Sequence, residues 1–277
     1  MSATQMRNVR PERPFWDYWY LIYTFGQRDL KSKFKGSALG WVWSLVVPLA
    51  TLGIYSVVFS FILRVTPPPM GSGREGIFVV FLFCGLIFWS FFTNVVNNGI
   101  SELIAAGPIL QKIYFPAYAP VLGAGLAVGI QSLIELGILA IVLLFLGNVG
   151  WSWLLVPVYL VFVVIFVGST ATVFAIVNVY FRDLAHLVGI ALQLLFYMTP
   201  IIYPLTMVDQ VWRGIPLVRV LEANPLTSYV ALFRNLVYEL NAGSLFQWIM
   251  VVATSLLMLA LAIWVSQTKG VDLGENV

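Results

Sequence analysis

Six stretches of this chain are so rich in aliphatic and aromatic residues that a water-facing fold cannot hide them. They run over roughly 40–63, 77–98, 117–146, 151–180, 186–203 and 246–266. Each comes near the about 20 apolar residues that a helix needs to cross a hydrocarbon core. A bilayer offers no water to backbone amides and carbonyls, so each stretch is predicted as a helix that closes its own hydrogen bonds. Pro48 and Pro157 fall inside two of them, where neighbouring helices can satisfy the freed carbonyls. Gln193, Thr199 and Pro200 interrupt the fifth. Composition agrees, because 60% of the 277 residues are hydrophobic and only 10% are charged, against about 25% charged in soluble domains. The expected fold is an all-α polytopic membrane protein with six transmembrane helices.

Charge placement orients that bundle. Arg7, Arg10, Arg13, Arg28, Lys31, Lys33 and Lys35 precede the first span, and Lys112, Arg182 and Lys269 fall on the same side of it. Arg64, Arg74, Arg213, Arg219 and Arg234 fall on the other side. Lys and Arg accumulate in cytoplasmic flanks, so both termini are expected inside the cell.

The N-terminal region divides in two. Residues 1–14 are polar, carry three arginines and lack the short apolar core of a secretory signal, and are expected to be a flexible cytoplasmic tail. Residues 15–36 place Phe15, Trp19, Ile22, Leu30 and Phe34 near helical spacing, with Asp17, Thr24, Arg28, Lys31 and Lys35 favouring another face. The Trp and Tyr content suits an amphipathic helix at the headgroup level; an ordinary positive flank is the alternative. Gly36 and Gly40 then allow a sharp turn into the first span. Residues 37–277 are expected to form a single transmembrane domain.

Three connections carry information. Residues 64–76, RVTPPPMGSGREG, read as a Pro/Gly connector. In NNGISELIAAGPILQKIYFP, residues 97–116, Ser101 and Glu102 are expected to start a short helix, since a hydroxyl caps free amides and a carboxylate opposes the helix dipole. Gly107–Pro108 would end it, and Pro108 could open a second turn. Being half apolar, this segment should dock against something. Residues 205–245 are too polar to span and too apolar for a free loop, so two short re-entrant helices at the outer surface are expected, covered by protein.

Glu135 is the acidic residue set well inside an apolar run. An ionised carboxylate at that depth costs about 2.5–3.5 kcal/mol. It is either a pore or subunit-contact group, or a neutral carboxyl bonded near Gln131 and Ser132.

Catalytic patterns are absent. No G-x-x-x-x-G-K-[ST] occurs, and GSGREG at 71–76 lacks its lysine, so the chain has no phosphate-cradling loop. Cys84 and His186 are single, which excludes a disulfide framework and a His cluster. No acidic cluster suits metal-assisted phosphoryl transfer, so a membrane-embedded transferase is disfavoured. The net charge of +3 is small, its distribution matters more than its size, and no nucleic-acid partner is expected.

The run RDLKSKFKGSALGWVWSLVVPL at 28–49 resembles the start of the membrane subunit of polysaccharide and polyol-phosphate ABC exporters. Four later segments extend the likeness over about 20–265. Lys112, Phe115, Pro116 and Pro120 match a K-x-x-F-P pattern, although Ala117 stands where a charge commonly follows. Tyr180, Arg182, Asp183 and Leu184 match a Y-x-R-D-[LI] turn, and YMTPIIYP and NPLTSYVALFRNLVYE match the segments around the outer helices.

The resemblance implies two copies of this chain with two copies of an ABC ATPase subunit, which would hold the ATP and Mg, and no cofactor in this chain. It implies a lipid-linked cell-envelope glycan as cargo, O-antigen-like, teichoic acid or galactan, with an actinobacterial galactan exporter favoured. Ser101, Glu102, Leu103, Ile104, Gly107, Ile109, Lys112, Arg182 and Asp183 are then expected to contact the ATPase. Arg28, Lys31 and Lys35, beside Leu39 and Gly40, would attract the lipid diphosphate, generic orientation being the alternative use of those charges. Tyr55, Phe59, Phe196, Tyr197, Tyr203 and Glu135 are candidates to line the glycan path. An ion- or proton-coupled transporter or channel is the alternative function, with Glu135 as its coupling group.

Overall fold

The computed structural model describes residues 15–34, 42–62, 64–112, 115–208, 216–270 and 273, and among them every regular element is helical. Ten α-helices follow in order: α1 (Phe15–Phe34), α2 (Trp43–Ser56), α3 (Phe78–Ala105), α4 (Gly107–Leu110), α5 (Tyr118–Phe145), α6 (Val156–Tyr180), α7 (Leu184–Met198), α8 (Leu217–Ala223), α9 (Pro225–Val237) and α10 (Leu245–Thr268). A π-helical turn, Val57–Ile62, prolongs α2, and a 3₁₀ turn, Trp151–Leu155, leads into α6.

Among the described residues, four helical segments are long and apolar enough to cross a membrane: Phe78–Ala105, Tyr118–Phe145, Trp151–Tyr180 and Leu245–Thr268. The first and fifth expected spans hold shorter apolar helices, Val46–Ile62 and Leu184–Met198. With 15 residues, α7 reaches about 22 Å at 1.5 Å per residue, short of a hydrocarbon core of about 30 Å. Its early stop has a local cause. Thr199 is extended because the ring of Pro200 disfavours the helical region for the residue before it.

The core is built around α3, which packs on α5, α6 and α9, while α10 packs on α6 and α9. Leu82, Cys84, Val96 and Leu103 of α3 are completely buried. Gly99 permits the close approach of α5 and α6, since a Cβ there would lie 2.8 Å from Val121 Cγ1 and 3.3 Å from Ala171 Cβ. Both α2 and α7 attach to α3 along narrow seams and expose much of their surface.

The expected short helix beginning at Ser101 and Glu102 is not present as a separate element. Instead α3 runs unbroken to Ala105, past the boundary expected at 98. The Ser101 hydroxyl donates back to the Asn97 carbonyl at 3.0 Å, one turn earlier, rather than capping a new start. The break comes at Ala106, and Pro108 opens α4 in the first-turn position where its missing N–H costs nothing.

Opposite that end, α9 is plugged into the bundle. Asn224 caps it by accepting from the Leu226 amide at 3.0 Å, with Pro225 in the first turn. Tyr229 stacks on Phe88 and Phe166 at 5.2 and 4.6 Å between centroids, and its hydroxyl reaches Val251 O and Ser255 Oγ. Tyr159 donates to Tyr229 O, Asn148 to Val237 O and Tyr238 O, and Ser152 to Leu236 O. Those bonds go to backbone carbonyls of α9 and its C-terminal end from two other parts of the bundle, the turn before α6 and α6 itself.

Candidate functional site

The end of the bundle where α3 stops and α5 begins is built on α1. Gly26 and Gly123 let the two backbones touch: a Cβ on Gly123 would lie 2.6 Å from Phe25 Cβ and 3.0 Å from Gly26 N. Only glycine allows helices this close without displacing one of them. Around that contact Ile22, Ala106, Phe115 and Ala119 form a small apolar cluster, flanked by Leu21, Phe25, Leu110 and Tyr118. Phe25 packs on Phe115 at 5.4 Å and Tyr18 on Tyr118 at 6.4 Å between centroids. Thus α1 grips both sides of the segment that joins α3 to α5.

That segment has two faces. Leu103, in the main core, Ala106, in the small cluster, and Gly107 are buried, whereas Ser101, Ile104, Pro108, Ile109 and Lys112 are exposed. Ile104 is 46% and Ile109 40% accessible, an apolar knob on a firmly backed turn. Glu102 lies at its edge and accepts an ion-pairing hydrogen bond from Arg28 of α1, whose guanidinium also lies 5.1 Å from the Phe25 ring. Two residues that the sequence assigns to different tasks are therefore partners.

Of the other expected contacts at this end, Arg182 and Asp183 are exposed in the tight turn from α6 to α7. Asn178 pins that turn by accepting from the Ala185 amide at 2.8 Å. Lys31 is exposed one turn beyond Arg28, while Lys35, Leu39 and Gly40 lie outside the described residues.

The aromatic candidates meet along the seam between α2 and α7. Tyr55 lies 6.2 Å from Phe59 and 6.2 Å from Phe196, and Phe196 lies 5.3 Å from Tyr197. Tyr203 donates to Tyr197 O at 2.9 Å. Glu135 does not join them. It sits on α5, which packs on α1, α3 and α6; it is 3% exposed and accepts from Gln131 Nε2 at 3.3 Å.

Sequence reasoning missed Arg234, which it counted only as a flanking charge. The side chain is 5% exposed, lies flat over Phe81 at 3.6 Å, and donates to the carbonyls of Phe81, Pro200 and Ile201 at 3.1, 2.5 and 2.5 Å. A single basic residue within the otherwise apolar face of α9 was the available signal.

Residues 20–238, spanning α1 through α9, match the ABC-2 type transporter family. The chain belongs to that family. An ABC-2 transporter with this helix content is a multi-pass inner-membrane protein. The chain is 30% identical over 219 residues to an O-antigen export system permease protein RfbA of Klebsiella pneumoniae, covering 78% of this chain and 79% of the relative. It is 27% identical over 275 residues to the protein of the same name in Myxococcus xanthus, covering 97% and 100%. It is 24% identical over 206 residues to the inner membrane transport permease YadH of Escherichia coli K12, covering 70% and 75%. These relatives are transport permeases.

Proposed function

We propose that this ABC-2 protein is the membrane subunit of an exporter that moves a lipid-linked cell-envelope polysaccharide outward across the inner membrane. Energy comes from ATP hydrolysed, with Mg, in a separate subunit, and the chain itself has no catalytic role. Two copies of it pair with two copies of that ATPase, and the glycan is O-antigen-like or a galactan. Both termini and the knob at Ile104 and Ile109 face the cytoplasm, α8 and α9 lie at the outer surface, and six segments cross the bilayer, the short α7 doing so together with the turn that follows it.

One observation carries the reading: an exposed apolar turn with a buried back, braced on both sides by α1. Apolar residues exposed on a rigid base suit burial in a partner. The aromatic seam of α2 and α7 supports a glycan path, because aromatic faces stack on the C–H faces of sugars. The relatives named for O-antigen export favour that class of cargo.

Purification of the tagged full chain from its own membranes, with an ATPase assay, tests the reading. An ATPase subunit at one-to-one ratio with hydrolysis is the expected result. A lone oligomer without hydrolysis would overturn it and leave the ion-coupled alternative. The position of Glu135, away from the aromatic seam and bonded to Gln131, gives that alternative little support.

A further inference from the structure

We propose that the Arg28–Glu102 pair is a latch, opened when the diphosphate group of an arriving lipid takes Arg28 from Glu102. The inference rests on the exporter reading and adds a regulation to it.

Position and strength both point this way. The two side chains are 44% and 23% accessible, so the pair borders solvent and can be approached. Exposed ion pairs are weak. A diphosphate carries more charge than one carboxylate and presents paired oxygens to the guanidinium fork, so it is the stronger partner. Lys31 lies on the same face of α1 three residues on, exposed, and supplies a second cation. Trp19, Tyr20 and Tyr23 of the same helix are exposed, as suits a helix held at headgroup depth where lipid phosphates lie.

The mechanical consequence follows from what is fixed. Arg28 belongs to a helix whose backbone is seated on α5 through Gly26 and Gly123, so it cannot follow a moving partner. Glu102 stands in the last turn of α3, just before the break at Ala106. Loss of the pair therefore loosens the exposed edge of the α3 end, which carries Ala105 and the Ile104–Ile109 knob, while α1 and the buried side of the turn stay seated. Lipid arrival would be signalled to the ATPase contact through one exchanged ion pair.

The test places spin labels on cysteines introduced at Tyr20 and Ala105, both exposed, in the full chain held in phosphatidylcholine nanodiscs; Cys84 is completely buried and stays unlabelled. A short polyprenyl diphosphate should broaden and shift the label distance. Glu102→Gln should show the broad distribution without ligand and no further response. The exchanged variant, Arg28→Glu with Glu102→Arg, should restore the narrow one. A response to the polyprenyl diphosphate alone supports a lipid source, and an equal response to inorganic pyrophosphate supports the free ion as a competent source. Response to neither, or a ligand-free Glu102→Gln that matches wild type, overturns the latch. In the complex with its ATPase, Glu102→Gln should raise lipid-free hydrolysis several-fold. The label measurement needs no ATPase, so failure of the latch and failure of the exporter reading are seen separately.

Discussion

Arg234 shows how one residue can join three distant parts of a chain. Its guanidinium ties α9 to the first turn of α3 and to the turn after α7. Replacement by Met keeps the apolar stem but strands the Pro200 and Ile201 carbonyls, each costing about 1–3 kcal/mol when buried and unpaired, while the Phe81 carbonyl keeps its place in the α3 ladder. Arg234→Met is expected to lower the thermal midpoint in detergent markedly, and Arg234→Lys to recover less than half, because an ammonium lacks the planar fork that fits the carbonyls and the Phe81 face. Gly85→Ala should show a related loss, since its Cβ would lie 2.8 Å from Arg234 Nη2. At Glu135 the expectation is the reverse: Glu135→Gln retains an acceptor for Gln131 and should preserve export at every pH tested. Loss of transport with loss of proton flux would instead favour the ion-coupled alternative. The sequence marks Arg234 only as a lone charge in an apolar stretch; its partners were not legible, because they lie 33 to 153 residues away.

Among elements, α1 and α5 are joined by backbone proximity, and so by the absence of side chains. Gly123→Val should push α1 off the bundle, because its Cβ would meet Phe25 Cβ, Gly26 N and Ile22 O together. A cysteine at Ile22, buried in the native protein, should then react with a membrane-impermeant maleimide many times faster. Long apolar helices were readable from composition alone, as α5 and α10 illustrate. The end of α3 was not. Ser101 followed by Glu102 has the composition of a helix start, yet it sits mid-helix because nothing between Val96 and Ala105 interrupts the backbone ladder. The length of α7 was overestimated for a converse reason. Ile201 and Ile202 are as apolar as a span requires, but they follow Pro200 and are buried beside α9 rather than added to α7.

For the whole molecule, the packing separates a body from two attached helices. Helices α1, α3, α5, α6, α9 and α10 share broad faces, whereas α2 and α7 touch α3 by narrow ones. Motion is expected where contact is least. Hydrogen exchange in nanodiscs should therefore be faster in α2 and α7 than in α3 or α9; equal protection throughout would contradict the division. A double change of Ile104→Asp and Ile109→Asp should abolish association with the ATPase while leaving the thermal midpoint close to wild type, since both side chains are exposed. Pull-down and thermal unfolding of the same preparation would check both halves of that expectation. The family and the membrane location were legible in the sequence because both reside in ordered local patterns. The division of labour between helices was not, because it depends on which faces touch.

The 28 residues of α3 form one uninterrupted helix, about 42 Å long at 1.5 Å per residue. One extremity is clamped by Arg234 and the other is held by Arg28. A stiff strut gripped part-way along and tied to its neighbours at the ends does not absorb a push; it tilts, and the ends travel in opposite directions, taking what is tied to them along. A small sideways thrust on the turn after Ala105 would thus arrive at the far surface as a swing about the crowded stretch near Val96 and Gly99, with α9 carried along on the longer arm. Leverage of that kind lets a protein without a flexible hinge turn a local event into movement across the full thickness of a bilayer.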